Sequence, residues 1–218
     1  MSLFVTFEGP EGGGKSTQIR LVARRLEQLG ERVVVTREPG GTAFGEAIRG
    51  ILLGFDHSAM LPETEALLNS AARAQHVVEV VRPALAQGKI VLCDRYLDST
   101  LAYQGAGRGL DIEALSSLQR FATRSLWPDL TVLLDVPFEV GQARRVASGE
   151  PLNRFDVDSR DFHERVRAYF LEAASRQPKR WRVIDASAPA ELVEQDLLFV
   201  ILQRLNETPS AALKDSRS

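Results

Sequence analysis

Five short runs of the chain are apolar and rich in β-branched residues without alternating with polar ones. They are residues 3–8 (LFVTFE), 32–36 (RVVVT), 89–94 (KIVLCD), 130–135 (LTVLLD) and 182–185 (RVID). A strand with one wet face alternates; a strand covered on both faces does not, and such strands belong to parallel sheets. Segments of helical period separate the runs. Ile19, Val22, Leu26 and Leu29 recur at spacings of 3, 4 and 3, and Gly30 stands where a helix C-cap belongs. Pro62 suits the first turn of a long helix whose apolar stretch runs to Val81 and stops near Pro83. Asp111 can cap a helix carrying Ile112, Leu115, Leu118 and Ala122. Phe162, Val166, Tyr169, Phe170 and Ala173 mark another, and Val193, Leu197, Val200 and Ile201 the last. The alternation of β and α predicts an α/β fold: a doubly wound, five-stranded parallel sheet flanked by helices.

At 218 residues the chain reads as one domain spanning residues 1–207, with a small polar tail over 208–218 expected to be unstructured. Residues 147–161 break a helical region with Gly149, Pro151, Asn153 and several charges, and read as a mobile flap. A net charge of −2 is unsuited to coating nucleic acid. Cys93 is the single cysteine, which excludes an intrachain disulfide and, with only three histidines, a Cys/His zinc site. It suits a small apolar position within its strand, as His57, His76 and His163 suit structural or surface ones. Trp127 and Trp181, each ahead of a strand, are expected to pack, and Asp135 to terminate its strand. No apolar run is long enough to span a bilayer and the N-terminus has no basic start, so a cytoplasmic chain without a membrane partner is expected.

Between the first strand and the first helix lies Gly9-Pro10-Glu11-Gly12-Gly13-Gly14-Lys15-Ser16, which fits G-x-x-x-x-G-K-[ST] in the strand–loop–helix setting that the motif requires. Glycines let successive backbone N–H groups converge on one anion, and the helix N-terminus adds favourable potential for phosphate. In such a loop Lys15 reaches the β- and γ-phosphates of a nucleotide and Ser16 holds Mg²⁺. No guanine-reading N-K-x-D is present, which argues against a signalling GTPase. Arginines spread along a short chain suit phosphoryl transfer to a small anionic acceptor. Asp94-Arg95-Tyr96 ends the third strand, on the side of the sheet where ligands of such folds bind. The residues alone leave open another small kinase, or a nucleotide-binding regulator.

FEGPEGGGKST, TREPGGT, RAQH, DRY and AYQG, taken with an arginine-rich flap, resemble the bacterial thymidylate kinase family, in that family's order over the first three-quarters of the chain. The resemblance implies a nucleoside-monophosphate kinase, usually a homodimer, that transfers the γ-phosphoryl of ATP to dTMP with Mg²⁺. It implies roles residue by residue. Gly9, Glu11, Gly12, Gly13, Gly14, Lys15, Ser16 and Thr17 bind the donor, with Arg144, Asp185 and Ala186 on the adenine side. Ser16, Asp94 and Glu11 serve the metal shell, and Glu11 meets the acceptor's 3′-hydroxyl. Arg95 lies beside both phosphates. Arg37, Glu38 and Arg49 hold the acceptor phosphate or its network. Arg73 and Gln104 read the base with Ser99 or Thr100, and Tyr103 crowds the sugar's 2′ position. With no arginine in the loop at Glu11-Gly12-Gly13, the resemblance draws catalytic charge from Arg154 in the flap and Arg145, which flanks it. One departure stands out. Asn69 occupies the position where the family commonly has a phenylalanine stacked on thymine, so either another aromatic substitutes or hydrogen bonds hold the base.

Overall fold

The computed structural model describes residues 2–54, 59–149, 153–156 and 158–207. His57, part of the flap (150–152 and 157) and the tail 208–218 lie outside them. The strands are β1 (Leu3–Glu8), β2 (Val33–Arg37), β3 (Ile90–Asp94), β4 (Leu130–Asp135) and β5 (Trp181–Asp185). Each lies within one residue of its sequence expectation. They form one parallel sheet in the order β2-β3-β1-β4-β5. The missing alternation has its cause in the two covered faces. Leu3, Val5 and Phe7 meet Ile19, Val22 and Leu26 of α1 (Lys15–Gln28) and Val193, Leu197 and Ile201 of α9 (Ala190–Glu207). Phe4, on the opposite face, packs with Val77, Val81, Tyr96 and Leu115. Thr6, polar like Glu8 at the strand's end, pairs with Thr131 across the ladder, Oγ1 to Oγ1 at 3.0 Å. Fully burying a side chain the size of leucine is worth about 1.5–3 kcal/mol, so neither face of β1 tolerates an unpaired polar group.

The long helix does not stop at Pro83. α3 (Pro62–His76) passes into a π-helical turn over Val77–Val81 and then into α4 (Arg82–Ala86). Arg82 N–H reaches back five residues to Val77 O. That wider turn makes room for a proline ring that a regular α-helix would push into a carbonyl one turn back. Three further helical pieces escape periodicity reading: α2 (Ala43–Leu53), α5 (Leu97–Thr100) with its π continuation Leu101–Gly107, and α7 (Phe138–Ala147). The remaining helices, α6 (Ile112–Thr123) and α8 (Arg160–Arg176), start where Asp111 and Ser159 accept from the first turn. Cys93 is fully buried, as is Trp181, while Trp127 is partly exposed beneath the Arg180 guanidinium. His76 and His163 are both buried. Asp135 ends β4 as expected and is held by Arg167 through two bonds of 2.7 Å.

Candidate active site

The glycine-rich loop opens from the carboxyl end of β1, the central strand, and closes into α1. Two glycines are dictated by close approach. At Gly9 (φ 138°) a Cβ would run into Leu134 O, and at Gly12 (φ 71°) into Gly141 O of α7. No side chain caps α1, so its first-turn N–H groups stay available to an anion. Lys15 folds over the loop, donating from Nζ to Pro10 O at 2.8 Å and Gly9 O at 3.1 Å. Burial, reinforced by the neighbouring Arg95 charge, brings its ammonium down to about 8 despite Glu11 and Asp94 nearby.

Beside the loop, β3 ends in Asp94 and Arg95. Asp94 Oδ2 accepts from Ser16 Oγ at 2.6 Å. Arg95 adopts φ 66°, a left-handed conformation costly for a side chain of this size. The surroundings fix it there. Its N–H donates to Phe7 O at 2.9 Å, and the next residue's N–H donates to Glu8 Oε1 at 2.9 Å. Glu8 Oε2 accepts from Ser99 Oγ at 2.5 Å, and Ser99 Oγ in turn accepts from Arg95 Nη1 at 3.3 Å. Burial, with the charge of Asp98, pushes the Glu8 carboxyl up to about 8. Arg95 Nη2 pairs with Glu11 Oε1 at 2.6 Å, and the guanidinium carbon lies 4.8 Å from the centre of the Tyr103 ring. Tyr103 OH donates to the same Glu11 oxygen at 3.1 Å. Burial alone would raise the Glu11 carboxyl, but Arg95 and Lys15 outweigh it and bring it down to about 2. Glu11 therefore belongs to Arg95 and Tyr103, and not to the Ser16–Asp94 pair.

These groups line a cleft of about 550 Å³ whose other wall carries Arg37 and Arg49. Arg37 pairs with Glu46 at 2.9 Å, and Arg49 donates to Pro39 O at 3.0 Å. Burial and the like charge of Arg37 lower the Arg49 guanidinium, although Glu46 and Asp94 pull the other way.

Deeper in the cleft the structure corrects the simple picture of free acceptor contacts. Glu38 and Arg73 spend their charges first on each other. Arg73 Nε meets Glu38 Oε2 at 2.6 Å, and Glu38 Oε1 faces His76 Nδ1 at 2.7 Å. Arg73 also donates to Thr100 Oγ1 and Tyr96 O at 2.9 Å and to Gln119 Oε1 at 2.5 Å. Of five guanidinium N–H groups these bonds leave one, on Nη2, unassigned. Gln104 donates from Nε2 to Glu65 Oε1 at 2.5 Å. Asn69 lines the cleft but bonds back to its own helix, Nδ2 to Glu65 O at 2.9 Å.

Arg145, near the end of α7, and Arg154 of the flap part company. Arg145 reaches the cleft and chelates Asp156 with two bonds of 2.9 Å. Arg154 is instead buried against Leu52 O at 3.2 Å and Glu65 Oε2 at 2.5 Å, and Asn153 and Phe155 line the cleft on either side of it. In this structure Arg154 therefore faces a buried carboxylate and not the open cleft. Arg144 lines the cleft and donates to Ala186 O at 2.7 Å. Asp185 caps the following turn through Ser187 N at 2.9 Å.

A family profile described as thymidylate kinase matches residues 7–197. The chain belongs to the thymidylate kinase family. Among its relatives, the thymidylate kinase of Thermomicrobium roseum is 61% identical over 193 residues, covering 88% of this chain and 91% of that one. That of Pelobacter propionicus is 51% identical over 98% of this chain and 100% of that one. The crystal structure of thymidylate kinase from Ehrlichia chaffeensis superposes with a TM-score of 0.75 at 35% identity, covering 92% of this chain and 98% of that chain. The five-stranded α/β architecture is the one that membership predicts.

For a thymidylate kinase the donor set at Ser16 and Asp94 fits Mg²⁺. It offers hard oxygens, a hydroxyl against a carboxylate, at the mouth of the phosphate loop. Among the described residues there is no group of three or more His, Cys, Asp or Glu placed to hold a metal ion. Two residues escape sequence reading. Glu8 carries a weak signal, being acidic at the end of an otherwise apolar strand. Glu65 carries none, because its partners Gln104 and Arg154 lie 39 and 89 residues away.

Proposed function

We propose that this member of the thymidylate kinase family transfers the γ-phosphoryl of ATP to dTMP across the cleft between Lys15 and Arg49, in the presence of Mg²⁺. Phosphorylation of dTMP to dTDP is the activity of the family to which the chain belongs. The observation that carries the residue-level reading is that one cleft combines the uncapped phosphate loop with the cationic corner of Arg37, Arg49 and Arg95. The loop and Lys15 bind the donor phosphates. Ser16 and Asp94 hold the ion, which supplies neutralisation of phosphate charge. Arg37 and Arg49 receive the acceptor phosphate, and Arg95 stands between the two anions. A phosphomonoester with a second pKa of about 6 is mostly a dianion at neutral pH, so attack requires no general base. Catalysis is positioning plus charge stabilisation, to which Arg145 adds from the flap.

On the acceptor side Glu11 takes the 3′-hydroxyl, and the buried Tyr103 ring leaves no room for a 2′-hydroxyl. The remaining Arg73 N–H and the Gln104 Oε1 form a donor–acceptor pair that matches O4 and N3–H of thymine. Closure of the flap excludes water that would hydrolyse ATP. Exposed Phe44 and Ile51, seven residues apart on α2, with Leu67 on α3 and Val78 in the π turn that follows it, support a homodimer. Among the described residues no helix is long and apolar enough to cross a membrane, which accords with a cytoplasmic setting. A coupled assay of ADP release with dTMP, dUMP, UMP, dCMP and AMP tests the reading. ADP release strongest with dTMP is expected; release independent of dTMP, or strongest with AMP, overturns it.

A further inference from the structure

Glu65 of α3 is fully buried, and nothing above gives it a part in binding or transfer. Its carboxylate accepts from Gln104 Nε2 on Oε1 and from Arg154 Nη2 on Oε2, each at 2.5 Å, and Arg108 Nη2 stands 3.6 Å from Oε2. A carboxylate paired with guanidinium groups offers oxygens that only accept. The Gln104 atom facing it must therefore be the NH₂. Turning the amide over would set a carbonyl oxygen against a carboxylate oxygen inside the protein, where an unpaired polar contact is most costly. The consequence appears at the other end of the amide. Gln104 Oε1 has no protein partner, yet among the described residues only Gln18 Oε1 and Trp181 Nε1 are both sealed from solvent and unbonded. Oε1 of Gln104 thus opens into the cleft that Gln104 lines.

We propose that Glu65 is a specificity-determining positioning residue: it locks the Gln104 amide with its acceptor toward the base, so that the site takes a pyrimidine carrying N3–H and refuses one whose N3 is itself an acceptor. The inference rests on the reading that the acceptor base lies against Gln104 and Arg73. Thymine and uracil present N3–H to Oε1. Cytosine would set its N3 lone pair against Oε1 and its 4-amino group against the Arg73 N–H. Without an acceptor-only partner the amide swings over about its soft terminal torsion, presents Nε2 to the base, and the preference at N3 is lost or reversed while the Arg73 donor is unchanged. A site built around buried hydrogen-bonding groups rejects the wrong pattern far more strongly than an apolar pocket can.

The test compares the full-length enzyme with Glu65→Gln, reading kcat/KM for dTMP, dUMP and dCMP, the KM for ATP, and thermal melting. Wild type is expected to prefer dTMP and dUMP over dCMP. In Glu65→Gln the dTMP-to-dCMP ratio is expected to narrow by roughly tenfold or more, with the KM for ATP unchanged. The exchange variant Glu65→Gln with Gln104→Glu turns an acceptor-only group toward the base again and should restore the preference. A merely structural role would lower all acceptors by a common factor. A folded Glu65→Gln with an unchanged ratio overturns the proposal. Should that variant not fold, the exchange decides: a dTMP preference supports the proposal and a dCMP preference overturns it. A wild-type enzyme that uses dCMP as readily as dTMP overturns the base reading itself, and the proposal with it.

Discussion

The two sides of the cleft are built by different means. The donor side is main chain: contiguous residues in one loop, with glycines that let the backbone of Gly9 and Gly12 lie against Leu134 and Gly141, and an uncapped helix start. The proposed acceptor side is side chain: Arg37 and Arg49 from β2 and α2, Arg73 from α3 held by buried Glu38, and Gln104 from the π turn held by buried Glu65. The donor's phosphates are the same in every nucleoside triphosphate, so a backbone cradle with Lys15 suffices for them. A base must be told from other bases, and only side chains whose own donors and acceptors are already committed can do that. On the proposed reading the donor side supplies a phosphate cradle and the acceptor side supplies charge and pattern, and the two should fail differently.

The largest expected effect lies on the donor side. Lys15→Met should lower turnover by about three powers of ten, the upper range for losing one preorganised group at developing charge. Melting should stay near wild type, because Lys15 bonds only to loop carbonyls at 2.8 and 3.1 Å and the methionine keeps most of the buried stem. ADP formation with ATP and dTMP, measured beside a thermal melt, checks both. Turnover within tenfold of wild type would remove Lys15 from the chemistry and leave the comparison without its donor half.

The flap arginines sharpen the contrast, since one lies on each side of it. Arg145→Ala should lower kcat by about a hundredfold with modest change in either KM, because the side chain reaches the cleft near the loop. Arg154→Ala should act on stability and on dTMP. It removes the closer partner of buried Glu65, and breaking a buried pair costs about 3–5 kcal/mol, less here where Arg108 stands by at 3.6 Å. Steady-state kinetics in ATP and in dTMP separate the two. If Arg154→Ala loses kcat and keeps its melting temperature and its dTMP KM, the flap closes differently from the arrangement described and Arg154 is the catalytic charge.

The same division explains what could be read in the sequence. The strands were legible to within a residue because burial on both faces leaves an unbroken apolar record, and the loop was legible because its glycines, lysine and serine are consecutive. Asp94 and Arg95 followed from their place at the end of β3. The long helix misled at Pro83, since periodicity cannot register a π turn that absorbs a proline. Arg73, Glu38 and Gln104 were identifiable as members of the site, but not as members already bonded. Their partners lie 35 and 39 residues off, and whether a guanidinium is free or spent depends on what the fold brings beside it. For the same reason Arg154 could be placed in the flap by sequence but not in its bond to Glu65.

The smallest expected effect is the most informative about the acceptor side. Asn69 contributes no bond across the cleft; its amide is turned back to Glu65 O at 2.9 Å. Losing that bond exposes no buried charge, because Asn69 is only half-buried and the carbonyl remains within the helix. A phenylalanine there offers a face to the pyrimidine, and base–aromatic stacking is worth about 1–3 kcal/mol. The gain should fall short of that range's upper end, since the wall has been packed around a smaller side chain and a ring must find room beside Arg73. Asn69→Phe is therefore expected to tighten dTMP by up to about tenfold, the lower half of the stacking range, and to leave an ATP analogue unaffected. Calorimetric titration of both ligands into both proteins reads this directly. Tighter dTMP with undiminished discrimination against dCMP would separate affinity, which stacking adds, from base choice, which Gln104 and Arg73 make. Weaker dTMP binding in a well-folded variant would mean that the base sits too close to α3 for a ring to pass, and that hydrogen bonding rather than stacking already holds it there.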